Sequence, residues 1–335
     1  MFTRRGMLAG AAGALLIPNR ALGASGYETA SLYSAMRQGV SLLVVRAGKV
    51  LFADYPNGGS VRTAWELASG TKSFCGLMAA AAAQDGLLEL DEKCADTLAE
   101  WRGDARAEIR LRHLLSLTSG LQSGQIGRAP SYAEAVRASL INKPGTDFAY
   151  GPVAFQVFGE IMRRKLLAAR SQSDPLGYLE ARVLNPAGAR IGSWRRGADG
   201  QPLMPQGCAL TAENWARFGQ YVLDGAKGTD QAVLRACFEG SAANPGYGLS
   251  WWLLRPGLVG PGPRAGLSGA DGASMADEDV VMAAGAGNQR LYLLRKRGLV
   301  VVRQAKGILA ALQRPAGTRT WSDAEFLRLL LHATP

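Results

Sequence analysis

Segments with strand character occur near both ends of this 335-residue chain, and the long stretch between them reads as helix. Ser41–Arg46 and Val50–Ala53 flank Ala47-Gly48-Lys49, the pattern of a hairpin with a glycine turn. Strand signals return only late: the aromatic, continuous Tyr247–Leu254, then Val280–Ala284, Arg290–Leu294 and Leu299–Arg303 at short intervals. From Thr71 to about Phe238 the signals are mostly helical. Val153, Val157, Phe158 and Ile161 recur at helical spacing, and Thr211 suits the N-cap of a helix burying Trp215, Phe218 and Val222. Glu28–Arg37 and Trp321–His332 read as helices at either end. Strands at both ends around a helical middle require the two ends to meet in one sheet. The fold class expected is therefore α/β of the α+β type, with residues 25–67 and 246–335 forming a sheet domain flanked by helices. Residues 68–245 form an inserted, mostly helical domain, and a site is expected in the cleft between them.

Ser69-Gly70-Thr71-Lys72 is the only Ser-x-x-Lys in the chain. The apolar Trp65-Glu66-Leu67-Ala68 leads into it and a helical pattern, Ser73–Gln84, leads out. At a helix start Ser69 and Lys72 lie one turn apart on the same face, so the amine reaches the hydroxyl. A serine hydroxyl is a poor nucleophile until a neighbouring base takes its proton. The chain holds only His113 and His332, neither within a supporting motif, which leaves lysine as the base. His113 falls in the apolar Arg112–Leu117 segment and is expected to cap or pack.

Composition narrows the partners. With 47% hydrophobic and 19% charged residues the chain can bury a full core. The first 24 residues read as an export signal of twin-arginine type: Arg4-Arg5 directly precede an apolar run, Met7–Ile17, that is too short to span a bilayer. Small residues at Ala21, Gly23 and Ala24 suit cleavage, which implies a periplasmic or secreted protein with no stable membrane span. Loss of Arg4, Arg5 and Arg20 lowers the formal charge from +11 to +8, and the remaining basic residues form no stripe interleaved with aromatics, so nucleic acid is not an expected partner. Cys75, Cys94, Cys208 and Cys237 lack C-x-x-C spacing, so no zinc site and no metal is expected. Export leaves both states open for them, the pairs Cys75–Cys94 and Cys208–Cys237 or buried free thiols.

Four segments carry a family resemblance: Ala68–Phe74, Asp85–Asp91, Ile109–Leu121 with its Thr118-Ser119-Gly120-Leu121, and Leu210–Gly219. In this order and spacing the chain resembles the penicillin-recognising serine hydrolases, a superfamily of class C β-lactamases, DD-peptidases, family VIII carboxylesterases and 6-aminohexanoate-dimer hydrolases. The resemblance implies a β-lactamase/transpeptidase-like antiparallel sheet, no cofactor, and an acyl-enzyme formed on Ser69. It also places the second motif, Tyr-x-Asn, at Tyr150-Gly151-Pro152, with Tyr132 as a rival position, and the third, Lys-Thr-Gly, at Ala283-Ala284-Gly285. Ser69 and Ala286 would then supply the oxyanion-hole N–H groups, and Gly285 and Gly287 would let substrate approach the strand.

The departures bear on substrate. Proline for asparagine and alanines for lysine and threonine remove the groups that hold a β-lactam or peptide stem, unless Arg264 or Arg290 supplies a substitute cation. The expected function is a serine hydrolase with Lys72 as base and Tyr150 as acid/base, cleaving small esters or amides with weak or no β-lactamase activity. The other reading is a non-hydrolytic envelope-associated protein of the same fold that binds peptidoglycan fragments or a partner.

Overall fold

The computed structural model describes residues 25–171, 174–261, 267–313 and 321–332. The expected export signal and Arg264 lie outside the described residues. Nine strands are described: β1 (Gly39–Arg46), β2 (Lys49–Asp54), β3 (Trp65–Glu66), β4 (Ser193–Trp194), β5 (Cys208–Leu210), β6 (Trp252–Leu253), β7 (Val280–Gly285), β8 (Gln289–Leu294) and β9 (Leu299–Ala305). Six of them form one antiparallel sheet in the order β2-β1-β9-β8-β7-β6. The two chain ends meet at β1 and β9, where Val44 lies opposite Val301. The β1–β2 turn forms at Ala47 (φ 47°) and Gly48 (φ 75°), two left-handed residues that match the twist of a tight hairpin.

Both faces of β1, β7, β8 and β9 are covered, which is why β1, β7 and β9 read largely as continuous apolar runs, while the edge strand β2 is mostly exposed. The pleat divides β8 between two helices. A Cβ on Gly219, in the helix Ala212–Leu223, would lie 2.8 Å from Leu291 Cδ1 and 3.1 Å from Leu293 Cδ2. On the opposite face Arg290 bonds Asp323 and Tyr292 stacks on Phe326, both on the helix Asp323–Leu331. That helix and Gly26–Ala35 cover one side, with Tyr33 packed against Trp321. Thr211 caps Ala212–Leu223 as expected, accepting from the Asn214 N–H at 3.2 Å. Ser73–Gln84 is buried from Ser73 through Ala82, and its run of alanines combines high helix propensity with close approach on every side.

Three local expectations change. Tyr247–Leu254 is not one strand: Ser250 adopts a left-handed φ of 67°, the Gly248 N–H bonds back to Trp251 O, and only Trp252–Leu253 pairs with β7. The helical middle also holds a small sheet, ordered β3-β5-β4, too short to leave a periodic signal. All four cysteines are free and buried, so neither disulfide pairing forms.

The element that positions the site is the contact between β7 and the short 3₁₀ turn Ala68–Lys72. Gly285, at the end of β7, has an ordinary extended φ of −129°. A Cβ there would lie 2.0 Å from the Leu67 carbonyl oxygen and 3.0 Å from the Gly70 nitrogen. The glycine thus lets the strand close against the serine turn. Gly285→Ala is expected to lower the free energy of unfolding by about 2–3 kcal/mol or more. Gly103→Ala, whose Cβ meets nothing within 4 Å, should shift it by less than about 0.5 kcal/mol. Urea unfolding of both variants measures the difference.

Candidate active site

The Ser69 turn is set by backbone bonds rather than by helix propensity. Leu67 N–H bonds Cys208 O at 2.9 Å, fixing the entry to the turn on the small sheet. Ala68 then adopts a left-handed φ of 47°, unusual for a residue with a Cβ. Thr71 holds that conformation: its hydroxyl donates to Ala68 O at 2.7 Å and accepts from the N–H groups of Gly207 and Cys208, both at 3.3 Å. Gly70 sits close under Trp215, where a Cβ would lie 3.0 Å from the ring and make it shift. The outcome is a serine that stays partly exposed while Leu67, Ala68, Gly70, Thr71 and Lys72 around it are buried.

Lys72 Nζ lies 3.0 Å from Ser69 Oγ and donates also to Pro205 O at 3.1 Å. The lysine is 3% exposed, and among the described residues no carboxylate forms an ion pair with it. Burial therefore pulls the amine from its ordinary 10.5 down to about 7, with Cys75 opposing weakly. The ring of Tyr150 lies 4.8 Å from Nζ, and Ser69 is near enough to its phenol to favour the ionised form. Burial pushes that phenol up to about 12, partly offset by Ser69 and the Arg290 charge. Tyr150 is held from both sides: Ala149 N–H bonds Leu117 O, and Gly151 packs so closely on Ser123 that a Cβ would lie 2.1 Å from its carbonyl oxygen. Pro152 takes the N-cap of the helix Val153–Ala168 and offers no side-chain bond.

The structure thus gathers Ser69, Lys72 and Tyr150 in one place. Tyr132 is elsewhere, buried with its hydroxyl on Pro202 O at 3.1 Å. His113 caps its own short helix, Nδ1 accepting from the Arg110 N–H at 3.1 Å. Ala286, directly after Gly285, is partly exposed beside the serine turn and opens the 3₁₀ turn Ala286–Asn288. The first N–H groups of such turns have no acceptor within the turn, and the same holds for Ser69. Gly287 adopts a φ of 74°. Arg290 is no substitute cation: it is 1% exposed and spent on Asp323, with Nε on Oδ1 at 2.8 Å and Nη2 on Oδ2 at 3.3 Å.

Two parts of the site left no trace in the motifs. Pro205 O, the second acceptor for Lys72, precedes the Leu210–Gly219 segment by a few residues, and a carbonyl has no sequence signature. The aromatic wall around Tyr150 is the other. Tyr150 and Trp252 lie 5.5 Å apart between ring centroids, Tyr247 and Trp252 4.6 Å, and Phe148 and Tyr247 5.3 Å. The Tyr247 hydroxyl is buried there without a protein partner. Its signal was the aromatic density of Tyr247–Trp252, which reads equally as strand. Among the described residues no group of His, Cys, Asp and Glu gathers to hold a metal, and no helix is long and apolar enough to cross a membrane.

A family model described as Beta-lactamase matches residues 26–307. The Staphylococcus aureus protein flp is 27% identical over 146 residues, 37% of this chain and 29% of that protein, so the match spans under a third of the curated relative's length. Among solved structures, EstCE1, a hydrolase with promiscuous acyltransferase activity, superposes with a TM-score of 0.67 at 16% identity over 92% of this chain and 98% of that one. The octameric penicillin-binding protein homologue of Pyrococcus abyssi gives 0.63 at 16% identity over 91% and 76%. At such identities these likenesses show the fold.

The buried amine also has a consequence for stability. Between about pH 7 and 10.5 the folded protein holds its Lys72 neutral while the unfolded chain keeps it protonated. The unfolded state then binds more protons, so stability rises with pH across that window and the full penalty applies below it. Lys72→Met is expected to be more stable than the parent, by a few kcal/mol at pH 6, with the advantage shrinking toward pH 10. Urea midpoints across pH give the comparison; an advantage constant with pH would contradict the depressed amine.

Proposed function

The chain belongs to the beta-lactamase family, and on that premise we propose that it is a serine hydrolase that cleaves small esters or amides through an acyl-enzyme on Ser69. The observation that carries this reading is the 3.0 Å approach of a buried, uncompensated Lys72 amine to the Ser69 hydroxyl. An amine lowered to about 7 is substantially neutral at physiological pH and can accept a proton. Ser69 Oγ then attacks the carbonyl carbon as its proton passes to Nζ. The Ser69 and Ala286 N–H groups stabilise the tetrahedral oxyanion. Tyr150, neutral because its phenol is raised, and protonated Lys72 deliver the proton to the leaving alcohol or amine. Water enters, loses a proton to the same pair, and releases the acid from Ser69.

The substrate class follows from what surrounds the nucleophile. Pro152, Ala283 and Ala284 present no polar side chain, and Arg290 is committed to Asp323. Phe148 and Tyr150, both partly exposed, present aromatic faces instead. Uncharged esters or amides with an apolar flank suit this lining better than β-lactams or peptides bearing a carboxylate, which meet neither a lysine at 283 nor a free Arg290. The export signal read in residues 1–24 would place this activity outside the cytoplasm.

Ser69→Ala is expected to abolish p-nitrophenyl ester turnover and labelling by a fluorophosphonate probe. Lys72→Ala should lower kcat by about 10²–10⁴-fold with the fold retained, and Tyr150→Phe should also slow turnover. A Lys72→Ala variant that keeps most of its rate would remove the base assignment. For the parent enzyme, kcat/KM should rise about tenfold per pH unit below about 7, the Lys72 value, and stay level above it to at least pH 10, since Tyr150 loses its proton only near 12.

A further inference from the structure

Behind the Gly285–Gln289 hairpin lie two arginines that no motif explains. Arg290 and Arg303 are 1% and 0% exposed, on adjacent strands β8 and β9, where they sit opposite one another. One side of the Arg290 guanidinium pairs with Asp323, whose Oδ1 also accepts from Tyr292 Oη at 2.5 Å and Trp321 Nε1 at 2.9 Å. The other side, Nη1, donates to Gly285 O at 3.2 Å and Gln289 O at 3.1 Å. Arg303 stands 4.4 Å over the Trp321 ring and donates to Gly287 O at 3.0 Å and Asn288 O at 2.8 Å. Two buried cations therefore hold four carbonyls of one hairpin from inside the protein.

Such a network is not what stability alone demands. A buried ion pair is commonly matched or bettered by well-packed apolar residues of similar volume. What the guanidinium does that an apolar residue cannot is orient peptides. The peptide joining Gly285 and Ala286 is planar and trans, so its C=O and N–H point to opposite sides. With Gly285 O turned to Arg290, the Ala286 N–H is directed away from β8. On that outer edge β6 pairs only with Val281 and Met282, leaving the positions from Ala283 to Ala286, beside the serine turn, without a partner strand among the described residues. The left-handed Gly287 and Asn288 (φ 74° and 62°) that follow are fixed by Arg303 in the same way.

We propose that Arg290, seconded by Arg303, is a positioning residue for catalysis, holding the hairpin carbonyls so that the Ala286 N–H stays aimed at the oxyanion. This rests on the serine-hydrolase reading above. A lysine at 290 supplies one point of charge and cannot fork between Asp323 and Gly285 O, so the conservative change should fail.

The test uses the whole chain with p-nitrophenyl butyrate as substrate and an alkyl trifluoromethyl ketone as a mimic of the tetrahedral oxyanion. Arg290→Lys is expected to lower kcat by about 10–100-fold with KM within about twofold, since an oxyanion donor acts in the transition state. The trifluoromethyl ketone should bind more weakly by the same factor as the loss in kcat/KM. Arg303→Lys should act in the same direction by about 3–10-fold, and it carries the test if Arg290→Lys does not fold. Tyr292→Phe removes a bond to Asp323 without releasing a hairpin carbonyl and should keep kcat within about twofold, whatever its cost in melting temperature. An ester-hydrolysing parent whose folded Arg290→Lys and Arg303→Lys forms keep kcat and ketone affinity overturns this inference alone. So does a kcat loss in Tyr292→Phe equal to theirs, which would mark a general loosening of the core. A parent that neither hydrolyses the ester nor labels at Ser69 overturns the hydrolase reading, and this inference with it.

Discussion

The site depends on a lysine amine kept out of water with nothing negative beside it. Surface lysines stay protonated because solvent favours the charge, and buried ones usually stay protonated because a carboxylate compensates. Among the described residues Lys72 meets neither, only a serine hydroxyl and the Pro205 carbonyl. Desolvation then decides its protonation, and the amine becomes available as a base near neutral pH. Much of the surrounding architecture can be read as the means of excluding water and acids from one atom: the wholly buried helix after Ser73, the Met204–Cys208 segment over the amine, and the aromatic rings of Tyr150 and Phe155 within 4.8 and 5.6 Å of Nζ.

The same burial acts with opposite sign on the neighbouring phenol. Desolvation disfavours the charged form of each group, so it lowers the lysine and raises the tyrosine. Two titratable groups beside one hydroxyl are thereby shifted in opposite directions, which suits the roles proposed for them, the amine to accept and the phenol to keep its proton to give. One physical cause, a dry pocket, produces both halves of an acid–base pair without histidine or a carboxylate. Cys75, one turn beyond Lys72, follows the same rule, its thiol pushed up and so inert.

How far this was legible in the sequence varied with the range of the interactions. The two-ended sheet, the Ala47-Gly48 hairpin and the Thr211 cap are written in local patterns, and each formed where its residues indicated. The Ser69–Lys72 contact was legible because one helical turn fixes the spacing. Tyr150 came only through family resemblance, with Tyr132 set apart by a local context, Ser131–Ala135, that reads as an ordinary helix start; in the fold Gly151 allows the chain at Tyr150 to press on Ser123. Tyr247–Leu254 misled because its aromatic run signals burial, and burial was met by a turn at Ser250 rather than by a long strand. A glycine in a strand marks a close approach without saying to what, so the packing of Gly285 could not be read from its position. Here the neighbour is the Leu67 carbonyl. Pro205 O and the Arg290–Asp323 pair bridge residues far apart in the chain through atoms that carry no pattern at all.

The costly features of this fold are concentrated around one point. Ala68 holds a left-handed backbone, Lys72 is buried without a counter-ion, the Tyr247 hydroxyl is buried without a protein partner, and two arginines lie in the core. Together they oppose folding by an amount comparable with the margin of stability of a typical domain. They are tolerated because the β1–β9–β8–β7 sheet is packed on both faces by apolar side chains, and that burial is large and indifferent to detail at the site. The division of labour is visible within single strands. On β8, Leu291 and Leu293 face the apolar helix and contribute cohesion, while Arg290 and Tyr292, alternating with them, face Asp323 and build the polar network under the hairpin. A pleated strand with both faces buried can therefore serve stability with one set of side chains and orient a peptide with the other, and the register that satisfies the first fixes the geometry of the second.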